Sequence, residues 1–162
     1  MQLSATSSTV LAITGLALIG CEGANREVEN QLMSIEFEFD NELRVDRTSL
    51  EPVWIWNRME EFGDYSVQIP VGEHPLIEQS SSALIARGFQ GGGYSWEAMV
   101  RASIASSGIN PDLGIDWDSE SATMVTYMSD PGIALMVAQH AQKILTDEKH
   151  RDEMIIAAED ME

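Results

Sequence analysis

Apolar and polar residues alternate along several short stretches of the chain, and this pattern predicts antiparallel β-strands. From residue 33 to residue 40 every second side chain is apolar, and those between are mostly acidic. Period two places one face of a strand in a core and the other in water. Residues 65–69 alternate again before Pro70, and residues 53–56 are aromatic and β-branched. These stretches predict three strands, with a turn at Asp40-Asn41.

Helical spacing of apolar residues predicts four helices in the rest of the chain. Gly88 and Gly108 can end the first two helices, and Ser95 can cap the second. The four predicted helices cover residues 76–87, residues 96–107, a segment that begins at Ser129 or Asp130, and a last segment that begins at Thr146 or Asp147.

A further hairpin is predicted between the second and third helices. Its strands are residues 115–117 and 122–128, and polar residues 118–121 form the turn. The resulting order is three strands, two helices, two strands and two helices. This order predicts an α+β domain with an antiparallel sheet of about five strands and about four helices packed mainly on one face.

The composition of the chain excludes several classes of function and of binding site. The 162 residues are 44% hydrophobic, which suits one globular domain. They include 9 Lys and Arg against 27 Asp and Glu, a formal net charge of -18. This charge excludes a general nucleic-acid binder, which needs a basic surface to contact phosphates. A single cysteine excludes both a disulfide within the chain and a cysteine-rich zinc site.

The N-terminal segment carries no charged side chain before Glu22. Residues 10–20 are apolar except for Thr14. This apolar run is too short to cross a ~30 Å bilayer core, and its length suits the apolar region of a signal peptide. The segment ends in Leu18-Ile19-Gly20-Cys21, which resembles the lipobox of bacterial lipoproteins. This resemblance implies that lipid is attached to the Cys21 sulfur and that the chain is cleaved before it.

The predicted division is therefore a signal peptide over residues 1–20, an acidic tether over 21–31 and one domain over 32–162. Such a protein would be anchored in the cell envelope and would face the periplasm or the exterior. The segment before the apolar run has no Lys or Arg, although signal peptides normally carry positive charge there. A buried N-terminal strand or helix, or a wrongly assigned start codon, is the alternative, and the protein would then be cytoplasmic.

Two motifs could carry chemistry. The glycines at 91–93 lack the G-x-x-x-x-G-K-[ST] pattern of a phosphate loop, so we expect a tight connection that lets Phe89, Tyr94 and Trp96 pack close to backbone. Asp116, Asp118 and Glu120 are spaced for Ca²⁺ binding from one strand face, but an EF-hand glycine and bidentate glutamate are missing. The preferred interpretation is an exposed acidic face or hairpin turn.

The histidines do not form a catalytic pattern. We expect His74 in a loop, His140 on the apolar stripe of its helix and His150 in solvent. No Ser-His-Asp or His-x-x-x-His spacing is found. The chain is therefore predicted to be no enzyme and to need no cofactor, metal or small-molecule substrate. Its acidity either steers it toward a basic protein partner or only keeps it soluble, and composition alone does not separate these.

Two segments carry a family resemblance. GFQGGGYSWEAMVR at residues 88–101 and GIDWDSESATMVTYMSD at residues 114–130 resemble the immunity protein 51 family of bacterial polymorphic toxin systems. Ser95 stands where that family more often has Asp, and Gly92 where it commonly has Asn. The resemblance implies a non-enzymatic protein that binds and neutralises a toxin encoded beside it.

On this hypothesis the chain occludes a basic surface of a cognate toxin stoichiometrically, with a membrane anchor at Cys21. One alternative is an envelope lipoprotein that binds a small ligand or cation, which requires a deep pocket. Another is a hydrolase, which requires two convergent carboxyl groups with raised pKa values. The candidate partner-binding residues are Phe89, Tyr94, Trp96, Asp116, Asp118 and Glu120.

Overall fold

The fold was taken from a computed structural model, which describes residues 38–40, 43–46 and 50–159. The predicted signal peptide and tether, and residues 33–37 of the first predicted strand, lie outside the described residues. Predictions about these segments therefore remain predictions.

Six antiparallel strands form one sheet in the described part of the chain. Four helices accompany them, so the predicted α+β class and helix number are confirmed. The strands are β1 (Glu38–Asp40), β2 (Leu43–Asp46), β3 (Trp54–Asn57), β4 (Tyr65–Pro70), β5 (Asp116–Trp117) and β6 (Thr123–Met128). Their order in the sheet is β1-β2-β3-β4-β6-β5. The helices are α1 (Pro75–Ala86), α2 (Gly93–Ser106), α3 (Pro131–Thr146) and α4 (Glu148–Glu159).

The strand that the sequence did not predict is β2. Its residues, Leu-Arg-Val-Asp, are half charged, so the pattern is too short and too polar to stand out. Backbone pairing makes it a strand, because Arg44 pairs with Asn57 and Asp46 pairs with Ile55. The sheet therefore has six strands in the described residues where about five were expected.

The core lies between the sheet and the helices. Ile55, Val67 and Thr126 lie side by side on adjacent strands and are fully buried. On the opposite face, Trp54 and Gln68 pair across β3 and β4 and are only half-buried. Helix α3 contacts β3, β4 and β6, and α2 contacts β4 and β6. Alternation along the predicted strands therefore sets which face meets the helices.

The helix ends follow the predicted capping in the second half of the chain. Asp130 caps α3, since its Oδ1 accepts the N–H groups of Gly132 at 2.7 Å and Ile133 at 3.2 Å. Asp147 precedes α4 and accepts the N–H of His150 at 3.0 Å. That hydrogen bond is the main reason why the pKa of Asp147 lies below its usual value.

Helix α2 begins earlier than predicted. Its N-cap is Gly92 and not Ser95, and Gly92 offers no side chain to the helix terminus. Ser95 lies within the first turn, where its Oγ accepts the N–H of Gly91 at 3.1 Å. The serine hydroxyl therefore stabilises the entry of the chain into the helix from a different position than expected.

Candidate functional site

The glycine run at residues 91–93 brings the start of α2 against the β5–β6 hairpin. The Gly93 N–H donates to the Ser121 carbonyl at 3.2 Å. A Cβ atom on Gly93 would lie 2.1 Å from the Glu120 carbonyl oxygen and 2.2 Å from that of Thr123. These are backbone atoms and cannot swing away as a side chain can. The glycine therefore serves a close backbone contact. A tight connection was predicted here, but it brings the helix against the hairpin and leaves Tyr94 60% exposed.

The hairpin presents three acidic side chains to solvent. Asp116, Asp118 and Glu120 are exposed, whereas Trp117 is half-buried and Ser119 is buried. The Glu120 N–H donates to the Thr123 carbonyl at 2.9 Å, and the Ser119 Oγ accepts the Val125 N–H at 3.3 Å. Exposed and buried residues alternate from residue 116 to residue 120, so all three acids face outward. The prediction of an exposed acidic face is confirmed.

Arg101 on α2 connects this hairpin to the loop at residues 107–114. Its guanidinium contacts Glu97 at 3.2 Å, forms an ion pair with Asp112 and lies 5.5 Å from the centroid of the Trp117 ring. The Trp117 Nε1–H in turn donates to the Pro111 carbonyl at 3.0 Å. These contacts hold the loop next to α2 and β5.

Two apolar side chains stand out at this edge. Tyr94 in the first turn of α2 is 60% exposed, and Leu113 in the loop is 69% exposed. Leu113 was not among the predicted partner-binding residues, although an apolar residue directly after Asn-Pro-Asp in a turn was the available signal. We define the hairpin surface as Tyr94, Leu113, Asp116, Asp118 and Glu120.

Two predicted partner-binding residues do not belong to this surface. Trp96 is 0% exposed, and its Nε1–H donates to the Ser81 Oγ at 3.0 Å. Residues two positions apart on a helix point about 200° apart around its axis, so Tyr94 faces water while Trp96 faces the core. Phe89 is half-buried and packs against the same core. Trp96 is thus a core residue, which corrects its assignment as a surface anchor.

The histidines also differ from expectation at one position. His150, expected in solvent, is 8% exposed because α4 packs this side of the helix against α2. His140 is half-buried, in keeping with its place on the apolar stripe. His74 caps α1, since its Nδ1 accepts the Leu76 N–H at 3.2 Å.

One cleft and two further properties of the described residues bear on ligand, metal and membrane binding. The cleft between Glu51, Trp54 and His74 has a volume of about 180 Å³, below the ~300 Å³ at which typical ligand pockets begin. No group of three or more His, Cys, Asp or Glu side chains in this part of the chain is arranged to hold a metal ion. No helix among the described residues is long and apolar enough to cross a bilayer.

Comparison with known proteins assigns no family. No protein-family model matches the chain, and neither a curated protein nor a solved structure matches it. The resemblance to immunity proteins therefore rests on the two segments quoted above.

Proposed function

We propose that this protein is an immunity protein, which binds a cognate bacterial toxin and blocks it by stoichiometric occlusion. The hairpin surface would be the contact region. The cognate toxin domain would carry a basic surface that the acidic side chains of Asp116, Asp118 and Glu120 neutralise. No catalytic step is required of the protein, because an occluded toxin cannot reach its target.

The observation that supports this proposal is the pairing of exposed apolar and acidic side chains on a rigid edge. Protein interfaces commonly place an aromatic anchor at the centre and charged groups around it. Tyr94 is 60% exposed and follows Gly93, whose backbone contacts the acidic hairpin. Leu113 and Tyr94 are the two most exposed large apolar side chains among the described residues, so they are accessible to a partner as anchors.

The rigidity of the edge favours binding over simple solvation. The surface is fixed by the Gly93–Ser121 hydrogen bond on one side and by the Arg101 contacts to Asp112 and Trp117 on the other. A preformed surface loses little conformational entropy when a partner docks, so more of the contact energy appears as affinity. The net charge of -18 would also speed association with a basic partner.

The proposal includes a lipid anchor at Cys21, outside the described residues. Two or three acyl chains hold a protein on a membrane firmly, whereas one holds it weakly. An anchored inhibitor implies a toxin that is met in the periplasm or at the outer face of the cell.

The experiment is a protection assay in cells that express the product of the neighbouring gene. The Asp118→Lys, Glu120→Lys double variant should lose protection and should no longer copurify with that product, because two contacts become repulsive. The matched control is Glu60→Lys, Glu61→Lys, which makes the same change of charge at two exposed residues of the β3–β4 turn.

Three outcomes separate the explanations. Loss of protection in the hairpin variant alone supports the proposal. Equal loss in both variants would show that only the overall charge matters, which contradicts the assigned surface. A neighbouring product that is harmless in the absence of this protein would contradict the immunity function itself.

A further inference from the structure

A serine hydroxyl links two histidines at the junction of three helices. Ser103 on α2 is fully buried, and its Oγ lies 2.8 Å from His140 Nδ1 on α3 and 2.9 Å from His150 Nε2 on α4. The two ring nitrogens are therefore within about 6 Å of each other. Helix α2 packs against both α3 and α4, so this cluster lies where the three helices meet.

The hydrogen bonds require two different imidazole roles. A serine hydroxyl has one proton to donate, and its oxygen accepts from other donors. With both rings neutral, Ser103 donates to one ring nitrogen and accepts an N–H from the other ring. Each of the two short contacts of the Ser103 Oγ is then a hydrogen bond, with one proton between the oxygen and each ring nitrogen.

Protonation removes this arrangement. When the accepting imidazole gains a proton, both facing nitrogens carry N–H groups and the hydroxyl proton needs a new acceptor. A serine within a helix can turn to the carbonyl four residues earlier, here that of Met99. A second protonation then leaves two positive rings facing one oxygen atom, and their charges repel in a region largely removed from water.

Some of the charged groups around the cluster lower the histidine pKa values and others raise them. Lys143 lies one turn after His140 on α3, Glu153 lies on α4, and Asp147 lies between the two helices. Burial, then His150, then Lys143 lower the pKa of His140 below its ordinary 6.5. Burial and then Lys143 lower the pKa of His150, while Asp147 and Glu153 act to raise it. The neighbouring Arg151 is paired with Asp152.

We propose that Ser103, His140 and His150 form an acid-sensitive junction that ties α2 to α3 and α4 while the imidazoles are neutral. Both rings are harder to protonate in the folded chain than in the unfolded chain. The cluster therefore contributes full stability above pH 6.5, and this contribution is lost as the pH falls below 6.5 toward the lower pKa values of the folded state. Acidification would loosen the helical layer that carries Tyr94.

The test is urea unfolding of the full chain at pH 7.5, 6.5 and 5.5. Most carboxyl groups stay ionised in this range, since their ordinary pKa values are near 4. The wild type should lose stability as the pH falls, and the His140→Gln, His150→Gln double variant should lose much less. For each unit by which folding lowers a histidine pKa, the folding equilibrium constant falls tenfold at a pH below both pKa values.

The control is His74→Asn, which removes the third histidine and keeps an acceptor at the cap of α1. It should retain the pH dependence of the wild type. Loss of that dependence in His74→Asn, or its full retention in the double variant, would overturn the proposal.

A measurement on the wild type covers the case in which the double variant does not fold. NMR titration of the imidazole carbons should give midpoints below pH 6.5 for His140 and His150. Midpoints at or above 6.5 for both residues would overturn the proposal equally.

Discussion

Two aromatic residues of α2, two positions apart, illustrate how position on a helix sets the role of a side chain. Tyr94 is 60% exposed, whereas Trp96 is fully buried and donates a hydrogen bond to Ser81. Both had been expected to contact a partner, because aromatic residues are common in interfaces. Since Trp96 fills the core, its loss should affect folding, and the loss of Tyr94 should affect binding.

Trp96→Phe should lower the free energy of unfolding by about 1–3 kcal/mol, because the hydrogen bond to Ser81 is lost and the smaller ring leaves a gap. Tyr94→Ala should change it by less than about 0.5 kcal/mol, as expected for an exposed residue. Urea unfolding measures both. A loss of stability in Tyr94→Ala as large as that in Trp96→Phe would contradict this division of roles.

Affinity for the partner should change in the opposite order. Tyr94→Ala should weaken binding about tenfold or more if Tyr94 is an anchor. Trp96→Phe should bind nearly as well as the wild type wherever it remains folded.

At the scale of elements, the contact between α2 and the β5–β6 hairpin depends on the missing side chain of Gly93. The helix begins directly on the hairpin turn, and two backbone carbonyl oxygens occupy the space that a Cβ would need. The candidate surface combines a residue from the helix with residues from the hairpin. Its geometry therefore depends on this close approach.

Gly93→Ala should destabilise the fold by about 1–3 kcal/mol, because helix and hairpin must separate to admit the methyl group. It should also weaken partner binding, which calorimetry on the folded variant would measure. The control is Gly63→Ala, whose Cβ would meet nothing within 4 Å but whose φ of 75° is strained for alanine. That variant should lose about 1–2 kcal/mol and bind normally.

For the whole molecule, the distribution of charge along the chain is the most informative property. All 27 acidic residues follow the uncharged first 21 residues, so export and anchoring would leave the acidic domain intact. The net negative charge attracts basic partners over a long range, but this attraction does not distinguish one basic partner from another. Specificity has to come from the shape of a surface such as the hairpin surface.

Cys21→Ser tests the anchor at this scale. The substitution removes the sulfur that would carry lipid, so the protein should move from the membrane fraction to the soluble fraction and should not incorporate labelled fatty acid. Gly23→Ala keeps the cysteine and should remain membrane-bound. Unchanged membrane association of Cys21→Ser would contradict lipid anchoring.

Local patterns determined most of the elements. Alternation placed the strand at residues 65–70. Of the two predicted pairs of helix starts, Ser129 or Asp130 and Thr146 or Asp147, the structure selects Asp130 and Asp147. Local patterns failed where distant chain segments act. Strand β2 exists through pairing with β3, and α2 begins at Gly93 because its N-terminus meets the hairpin.

The sequence by itself determined the α+β class, the excess of acid and the outward alternation of Asp116, Asp118 and Glu120, because composition and residue period are local properties. Only the tertiary structure decided that Trp96 is core, that Leu113 is exposed and that Ser103 joins two histidines. These depend on contacts between residues far apart in the chain, such as Ser103 with His150, and no spacing along the sequence encodes them.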